Sequence, residues 1–307
     1  MDFSNERDKK RPVFIGVIIA VLLVFIVLTV RLLTATVFKD IGRSDENTFS
    51  STAEQELPPK ELRIHDIYQG EKRIPYFDVP LNEYNNEAFL KASSSGKIFY
   101  DDALVGIDVS DYQKDIDWAK VKADGIDFAV IRVGYRGFTQ GGIQADGRFV
   151  ANITGALEND IEVGIYFFSQ AITVQEAIEE ANYAIEQAKD FELTYPIFYD
   201  WEPITNYAEN VVPRTQGCTG EEITAFTRTF CETVKQAGYF PAFYTNKSMG
   251  YSMYDLEILQ DYDMWYAEYQ DVPSYYYHFD LWQYTDSAVI DGVPVEVDLN
   301  LSMKRYK

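Results

Sequence analysis

Histidine and cysteine are nearly missing from this chain: its 307 residues hold two of each. His65 and His278 are too few to build a Ser-His-Asp relay or a histidine-rich zinc site. Cys218 and Cys231 cannot form a disulfide framework. On a helix starting near Thr219 they would stand about 18 Å apart, beyond bridging distance, so two separate thiols are expected unless the Gln216-Gly217-Cys218 loop folds back. Positive charge is also scarce. Lysine and arginine total 27 against 49 acidic residues, a net charge of −22. That excludes a nucleic-acid-binding surface, which must be basic. The glycine-rich run Gly134–Gly142 lacks the Gly-Lys-Ser/Thr ending of a phosphate loop. No internal repeat and no low-complexity tract is present, and nothing in the sequence calls for a cofactor or a metal.

Apolar residues make up 47% of the chain and aromatics 15%, tyrosine foremost. The material for a large core is there, and tyrosines suit stacking and hydrogen bonding to polar rings. Residues 13–30 carry no charge and follow Lys9, Lys10 and Arg11. This length fits a bilayer-spanning helix, and the flanking positive charge keeps the N-terminus in the cytoplasm. A cleaved signal peptide would have a shorter apolar region and a small-x-small site. The expected organisation is therefore a cytoplasmic tail at 1–12, a transmembrane anchor at 13–38, and an extracellular stalk at 39–103, partly ordered near Tyr76–Phe89 and Ile98–Tyr100. The main folded domain, at 104–307, follows. The protein is placed in the cell membrane as a single-pass protein with that domain outside.

From Leu104 the texture changes. Strand-like runs are predicted at Leu104–Val109, Asp127–Val133, Ile161–Phe168, Tyr195–Asp200, Phe240–Thr245, Met264–Ala267, Phe279–Tyr284 and Val295–Leu299. Helical patterns fall at Trp118–Asp124, Asp146–Asp160, Val174–Phe191 and Thr219–Ala237, the last ended by Gly238. Alternation of strand and helix predicts parallel strands with right-handed crossovers, and eight strands suggest closure. The last three lack room for helices between them. The fold class is α/β: an irregular (β/α) barrel of about five β/α units plus three further strands.

Within it, Tyr195-Pro196-Ile197-Phe198-Tyr199-Asp200-Trp201-Glu202-Pro203 delivers two carboxylates at the end of a buried strand. Residues two apart on a strand share a face. Two neighbouring acids in an apolar setting cannot both ionise easily, so a proton is retained near neutral pH. Such a group can protonate a leaving oxygen, as in cleavage of a glycosidic bond. The same Asp-x-Glu spacing recurs at Asp160/Glu162, Asp190/Glu192 and Asp255/Glu257, so a structural acid pair stands as the alternative. If the barrel closes, its C-terminal rim gathers Asp108, Arg132, Tyr166, Ser169, Asp200, Glu202, Tyr244, Asn246, Tyr266, Glu268, Gln283, Tyr284, Asp298 and Asn300. Pairing of Arg132 with a nearby carboxylate is weighed against contact with substrate.

The ordered motifs Gly106-Ile107-Asp108-Val109-Ser110, Phe128–Tyr135, Val163–Ser169, Asp200-Trp201-Glu202, Trp282-Gln283-Tyr284-Thr285 and Val297-Asp298-Leu299-Asn300 resemble family 25 of the glycoside hydrolases, the Ch-type lysozymes. The resemblance runs from about Leu104 to Ser302. It implies hydrolysis of the β-1,4 bond between N-acetylmuramic acid and N-acetylglucosamine in peptidoglycan glycan strands. Glu202 resembles the general acid and Asp200 its partner, expected to raise the pKa of Glu202 and to steady charge near C1. Asp108 and Asp298 resemble two further groove acids. Tyr166, Arg132, Tyr244, Tyr266, Trp282 and Tyr284 are expected to line the sugar-binding groove. Two other readings are carried: a chitinase-like N-acetylglucosaminidase, although Phe198 occupies the position where those enzymes have a further Asp, and a non-catalytic glycan-binding wall protein.

Overall fold

The computed structural model describes residues 60–93, 95–205 and 207–306. The expected anchor at 13–38 and the first part of the expected stalk lie outside the described residues. Among the described residues no helix is long and apolar enough to cross a membrane.

Among the described residues thirteen strands are numbered in chain order. β1 (Glu61–Asp66) and β2 (Gly70–Pro75) form a hairpin, and β3 (Leu90–Lys91) pairs with β4 (Ile98–Phe99). The barrel strands are β5 (Leu104–Val109), β6 (Phe128–Arg136), β8 (Glu162–Ser169), β9 (Ile197–Trp201), β10 (Pro241–Asn246), β11 (Asp263–Ala267), β12 (Leu281–Ala288) and β13 (Val297–Ser302), while β7 (Ile143–Ala145) extends the end of β6. The sheet runs β5-β13-β12-β11-β10-β9-β8-β6 and closes through β5–β6. Seven strands are mutually parallel. β13 is antiparallel to both neighbours, because the short β12–β13 connection makes a return hairpin and cannot hold a crossover. The helices are α1 (Trp118–Ala123), α2 (Phe149–Glu158), α3 (Val174–Ala188), α4 (Gly220–Gln236), α5 (Lys247–Ser252) and α6 (Leu256–Leu259). Five β/α units and three further strands are present.

Strands buried on both faces read as continuous apolar runs, and alternate residues divide into two layers. Phe128, Val130, Tyr166, Phe198, Tyr244, Trp265 and Leu281 fill the barrel interior. Ala129, Ile131, Ile165, Tyr199, Trp201, Tyr266, Trp282 and Tyr284 face outward into the surrounding layer. Phe128 stacks on Tyr195 with ring centres 4.5 Å apart. Gly106 makes room for this: a Cβ there would lie 2.4 Å from the Phe128 ring.

Helices α2 to α4 cover β6, β8 and β9, but β11, β12 and β13 have no helices between them. Their outer face must still be shielded from water, and residues 60–103 supply part of that cover. Phe89 packs edge-on against Trp282 at 5.3 Å, and the Ile98 amide donates to the Tyr284 hydroxyl at 3.3 Å. Tyr84 Oη donates to the Phe279 carbonyl (2.6 Å) and Asn82 Nδ2 to the Tyr275 carbonyl (2.9 Å). Ile64, Ile74, Phe89 and Ile98 belong to the core. The described residues of 60–103, expected as part of a partly ordered stalk, are thus docked on the barrel through these contacts.

The hairpin is held by a buried charge cluster. Lys247 Nζ lies 2.8 Å from Asp66 Oδ2 and 2.5 Å from Glu268 Oε1, and Ser274 Oγ completes its shell. Removing one partner of such a cluster leaves uncompensated buried charge, at a cost of about 3–5 kcal/mol. Lys247→Met should therefore lower the unfolding free energy by about 3 kcal/mol in urea titration. A variant of wild-type stability would show that the cluster does not hold the hairpin.

Candidate active site

Strand parity builds the site. In β9, Phe198 points into the barrel and Tyr199 out, so Asp200 points in again, followed by Glu202 just beyond the strand. The neighbours lock this register. Trp201 Nε1 donates to the Ala171 carbonyl at 3.0 Å, and Gln170 Nε2 donates to the Glu202 carbonyl at 2.7 Å. Asp108 ends the inward row of β5, and Asp298 of β13 stands directly opposite it in the antiparallel register. Four carboxyl groups therefore meet at one rim, over an aromatic floor. Trp265 lies at the centre of that floor, with the rings of Tyr244, Phe198 and Tyr166 at 5.0, 5.2 and 5.9 Å.

An amide network ties the floor to the acids. Trp265 Nε1 donates to Asn300 Oδ1 at 2.8 Å, and Asn300 Nδ2 donates to Asp108 Oδ2 at 2.8 Å. Gln283 Nε2 donates to the same oxygen at 2.9 Å. The other end of the Gln283 amide accepts from Tyr269 Oη at 3.1 Å and from Tyr244 Oη at 3.4 Å. Asp108 is thus buried yet doubly solvated by protein amides, which favours its charged form.

The remaining acids have no such solvation. Burial raises Asp108 to about 6, with the Asn300 and Gln283 bonds opposing the rise. Glu202 is raised to about 7, first by burial and then by the charge of Asp108. Asp298 is raised to about 9 by burial and then by Asp108. Asp200 is pushed well above the carboxylate range by burial, then by Glu202 and Asp108, with Arg132 partly opposing. The four titrate as a set. Asp108, the acid held by two amide donors, is the one the network favours as the anion. Asp200 and Glu202 repel one another as charges, as expected, and the charge of Asp108 adds to the rise at Glu202. Asp200 Oδ1 is buried without a hydrogen-bond partner among the described residues, an unmet capacity at the site's centre.

The other expected groove residues divide. Tyr166 and Tyr244 face inward at the site. Arg132 also reaches the rim, but its guanidinium is taken up by Asp146 (Nε–Oδ2 2.8 Å) and Asp111 (Nη2–Oδ1 2.6 Å). Tyr266, Trp282 and Tyr284 are not brought to the groove. Tyr266 stacks on Tyr275 at 4.6 Å, Trp282 donates to the Glu268 carbonyl at 3.0 Å, and Tyr284 meets the Ile98 amide. They lie one residue out of phase with the inward row Trp265, Ala267, Leu281, and a one-residue slip moves a side chain to the opposite face. Ser169 likewise turns outward, to Glu180 (2.6 Å) and Tyr199 (2.9 Å). Trp265, Tyr269, Gln283 and Asn300 complete the site without having been singled out for a role. Gln283 and Asn300 were visible as polar residues at strand ends. Parity counted back from Ala267 would have exposed Trp265.

Glu202 and Tyr244 also open onto a cavity of about 720 Å³, whose far wall includes Gln69, Lys72 and Arg73 of the hairpin. A cavity of this size accepts several linked sugar-sized groups. Among the described residues no cluster of three or more histidine, cysteine and acidic side chains is arranged to hold a metal ion. The arrangement offers one fixed anion, a protonated carboxyl beside it and an open pocket, the parts required for acid-catalysed bond cleavage.

The sequence profile of the glycosyl hydrolases family 25 matches residues 107–293, more than half of the chain and inclusive of Asp108, Asp200 and Glu202. Over 65 residues the chain is 42% identical to lysozyme M1 of Streptomyces globisporus, covering 21% of this chain and 20% of that one. The modular autolysin LytC from Streptococcus pneumoniae superposes with a TM-score of 0.58 at 23% identity, over 78% of this chain and 56% of LytC. Another structure of LytC is a complex with a synthetic peptidoglycan ligand. The Clostridium perfringens spore cortex lytic enzyme SleM superposes with a TM-score of 0.56 at 21% identity, over 65% of this chain and 67% of that one. The chain thus spans little more than half of LytC and a fifth of lysozyme M1, and at such identities the superpositions establish the fold. The profile match carries the assignment: the chain belongs to the glycosyl hydrolases family 25.

Proposed function

We propose that this protein is a muramidase that hydrolyses the β-1,4 bond between N-acetylmuramic acid and N-acetylglucosamine in peptidoglycan. The observation that carries the reading is Glu202 on the wall of the cavity, its proton held more tightly by burial and by the nearby, amide-held Asp108. Family membership and the peptidoglycan ligand of LytC support this substrate class. In the reaction Glu202 gives its proton to the glycosidic oxygen as the C1–O bond breaks. The positive charge growing on the sugar ring is stabilised by the carboxylate of Asp108, which burial keeps from being screened. Asp200, with its unused Oδ1, hydrogen-bonds the sugar held at the cleavage point. Water completes the new hydroxyl at C1, and its proton restores Glu202.

The charge-free stretch at 13–30 and the basic residues before it support a membrane-anchored enzyme acting on the outer face of the cell. Anchoring would confine the barrel to nearby wall, in place of affinity for it.

Purified peptidoglycan treated with the protein should yield new reducing ends on muramic acid. Glucosamine ends would assign the chain to the chitinase-like reading, and no cleavage would favour a glycan-binding protein. Glu202→Gln should fold normally by circular dichroism and lose at least about 100-fold in kcat; a variant within a few-fold of wild type would remove Glu202 from the mechanism.

The pH profile follows from the same groups. As proton donor Glu202 works below its pKa, so kcat/KM should fall as pH rises through about 7. Asp108 must be charged, so kcat/KM should also fall as pH drops through about 6. A narrow maximum between the two is expected in initial-rate measurements; a rate still rising at pH 9 would contradict the assignment.

A further inference from the structure

The cavity that opens from Glu202 has a wall outside the region matched by the family profile, which begins at residue 107. Gln69, Lys72 and Arg73, from the β1–β2 hairpin, line it together with Glu202, Tyr244 and Asn246. The hairpin tip is fixed in place. Asp66 Oδ1 accepts from the amides of Tyr68 and Gln69, each at 2.9 Å. Its Oδ2 meets Lys247, which is itself paired with Glu268 at the end of β11. A chain of buried polar contacts therefore sets the position of the hairpin relative to the barrel rim.

The cations on this wall differ in how they are used. Lys247 is neutralised by Asp66 and Glu268, and Arg73 lies 3.1 Å from Glu61. Lys72 pairs with no carboxylate among the described residues. Its Nζ contacts the neutral Gln69 Oε1 at 2.8 Å and lies 5.0 Å above the Tyr251 ring. In a chain with 49 acidic residues against 27 basic ones, a groove-facing ammonium bound only to an amide and a ring holds charge in reserve for a ligand. Both contacts orient it and leave donor capacity, since an ammonium has three protons to give. An anionic group on the polymer would complete the set.

We propose that the β1–β2 hairpin is a wall of the substrate groove and that Lys72, steadied by Gln69 and Tyr251, binds a carboxylate of the peptide carried by the glycan strand. This deepens the muramidase reading and rests on it. Neutral glycans offer no partner for Lys72, so the hairpin selects strands that bear charged peptides.

The test uses the whole chain and two polymers: soluble peptidoglycan strands, and the same strands with their carboxylates converted to methylamides. Wild type should prefer the charged strands in kcat/KM by roughly tenfold, the size of one charge-assisted contact at a partly exposed site. The preference should shrink in high salt. Lys72→Arg should keep the ratio, Lys72→Ala should bring it near one, and Lys72→Glu should invert it. A wild-type ratio near one, or a Lys72→Ala ratio equal to that of wild type, would overturn the inference and leave the muramidase reading standing. Failure of wild type to cleave either polymer would instead overturn the reading beneath it.

Discussion

Everything at the rim of this barrel is organised around one buried negative charge. Asp108 is tolerated inside the protein because two amides, from Asn300 and Gln283, replace the water it has lost. Those amides are held in turn by Trp265, Tyr244 and Tyr269. Once that charge is fixed, the acids near it face both burial and its field, and Glu202, Asp200 and Asp298 all move upward. Proton retention at Glu202 is therefore a property of the network. Directly opposed like charges on neighbouring strands are unfavourable, and the protonation of Asp298 across from Asp108 relieves that conflict without a counter-ion.

The uneven architecture serves the same end. Where helices join the strands, the outer layer is supplied by α2, α3 and α4. Where β11, β12 and β13 follow one another closely, aromatic side chains on their outer faces need another cover, and the segment preceding the barrel provides it through Phe89, Tyr84 and Ile98. That segment also reaches the rim, so a structural requirement of the short connections places a hairpin beside the cavity that Glu202 lines. The Asp66–Lys247–Glu268 cluster joins the two roles, because the same ammonium braces the hairpin and the end of β11.

Much of this was legible in the sequence. The eight barrel strands follow apolar runs of the right length, and the three longest helices, α2, α3 and α4, follow their periodicity, with Thr219 capping α4 through a reciprocal bond with Glu222. The convergence of Asp108, Asp200, Glu202 and Asp298 follows from strand order once closure is assumed. Facing was harder. In β11 and β12 both faces are buried, so hydrophobicity does not distinguish inside from outside, and prominent aromatics such as Trp282 and Tyr284 drew attention from Gln283, the residue that points inward. The polar, punctuated texture of 60–103 reads as a tether because its apolar residues are widely spaced. Tyr84 and Phe89 find partners on the barrel surface, Phe279 and Trp282, which local pattern does not display. The contribution of Asp108 to the field at Glu202 was hidden for the same reason: Asp200 is near in sequence, whereas Asp108 is near across the barrel.

The most direct test is a carboxyl ¹³C NMR titration of the protein labelled at aspartate and glutamate, with Glu202 assigned by substitution. Glu202 should titrate near 7, and Asp108→Asn should lower that midpoint without returning it fully to the ordinary glutamate value, since burial remains. A Glu202 midpoint near 4.5, or one that Asp108→Asn leaves unmoved, would contradict the account.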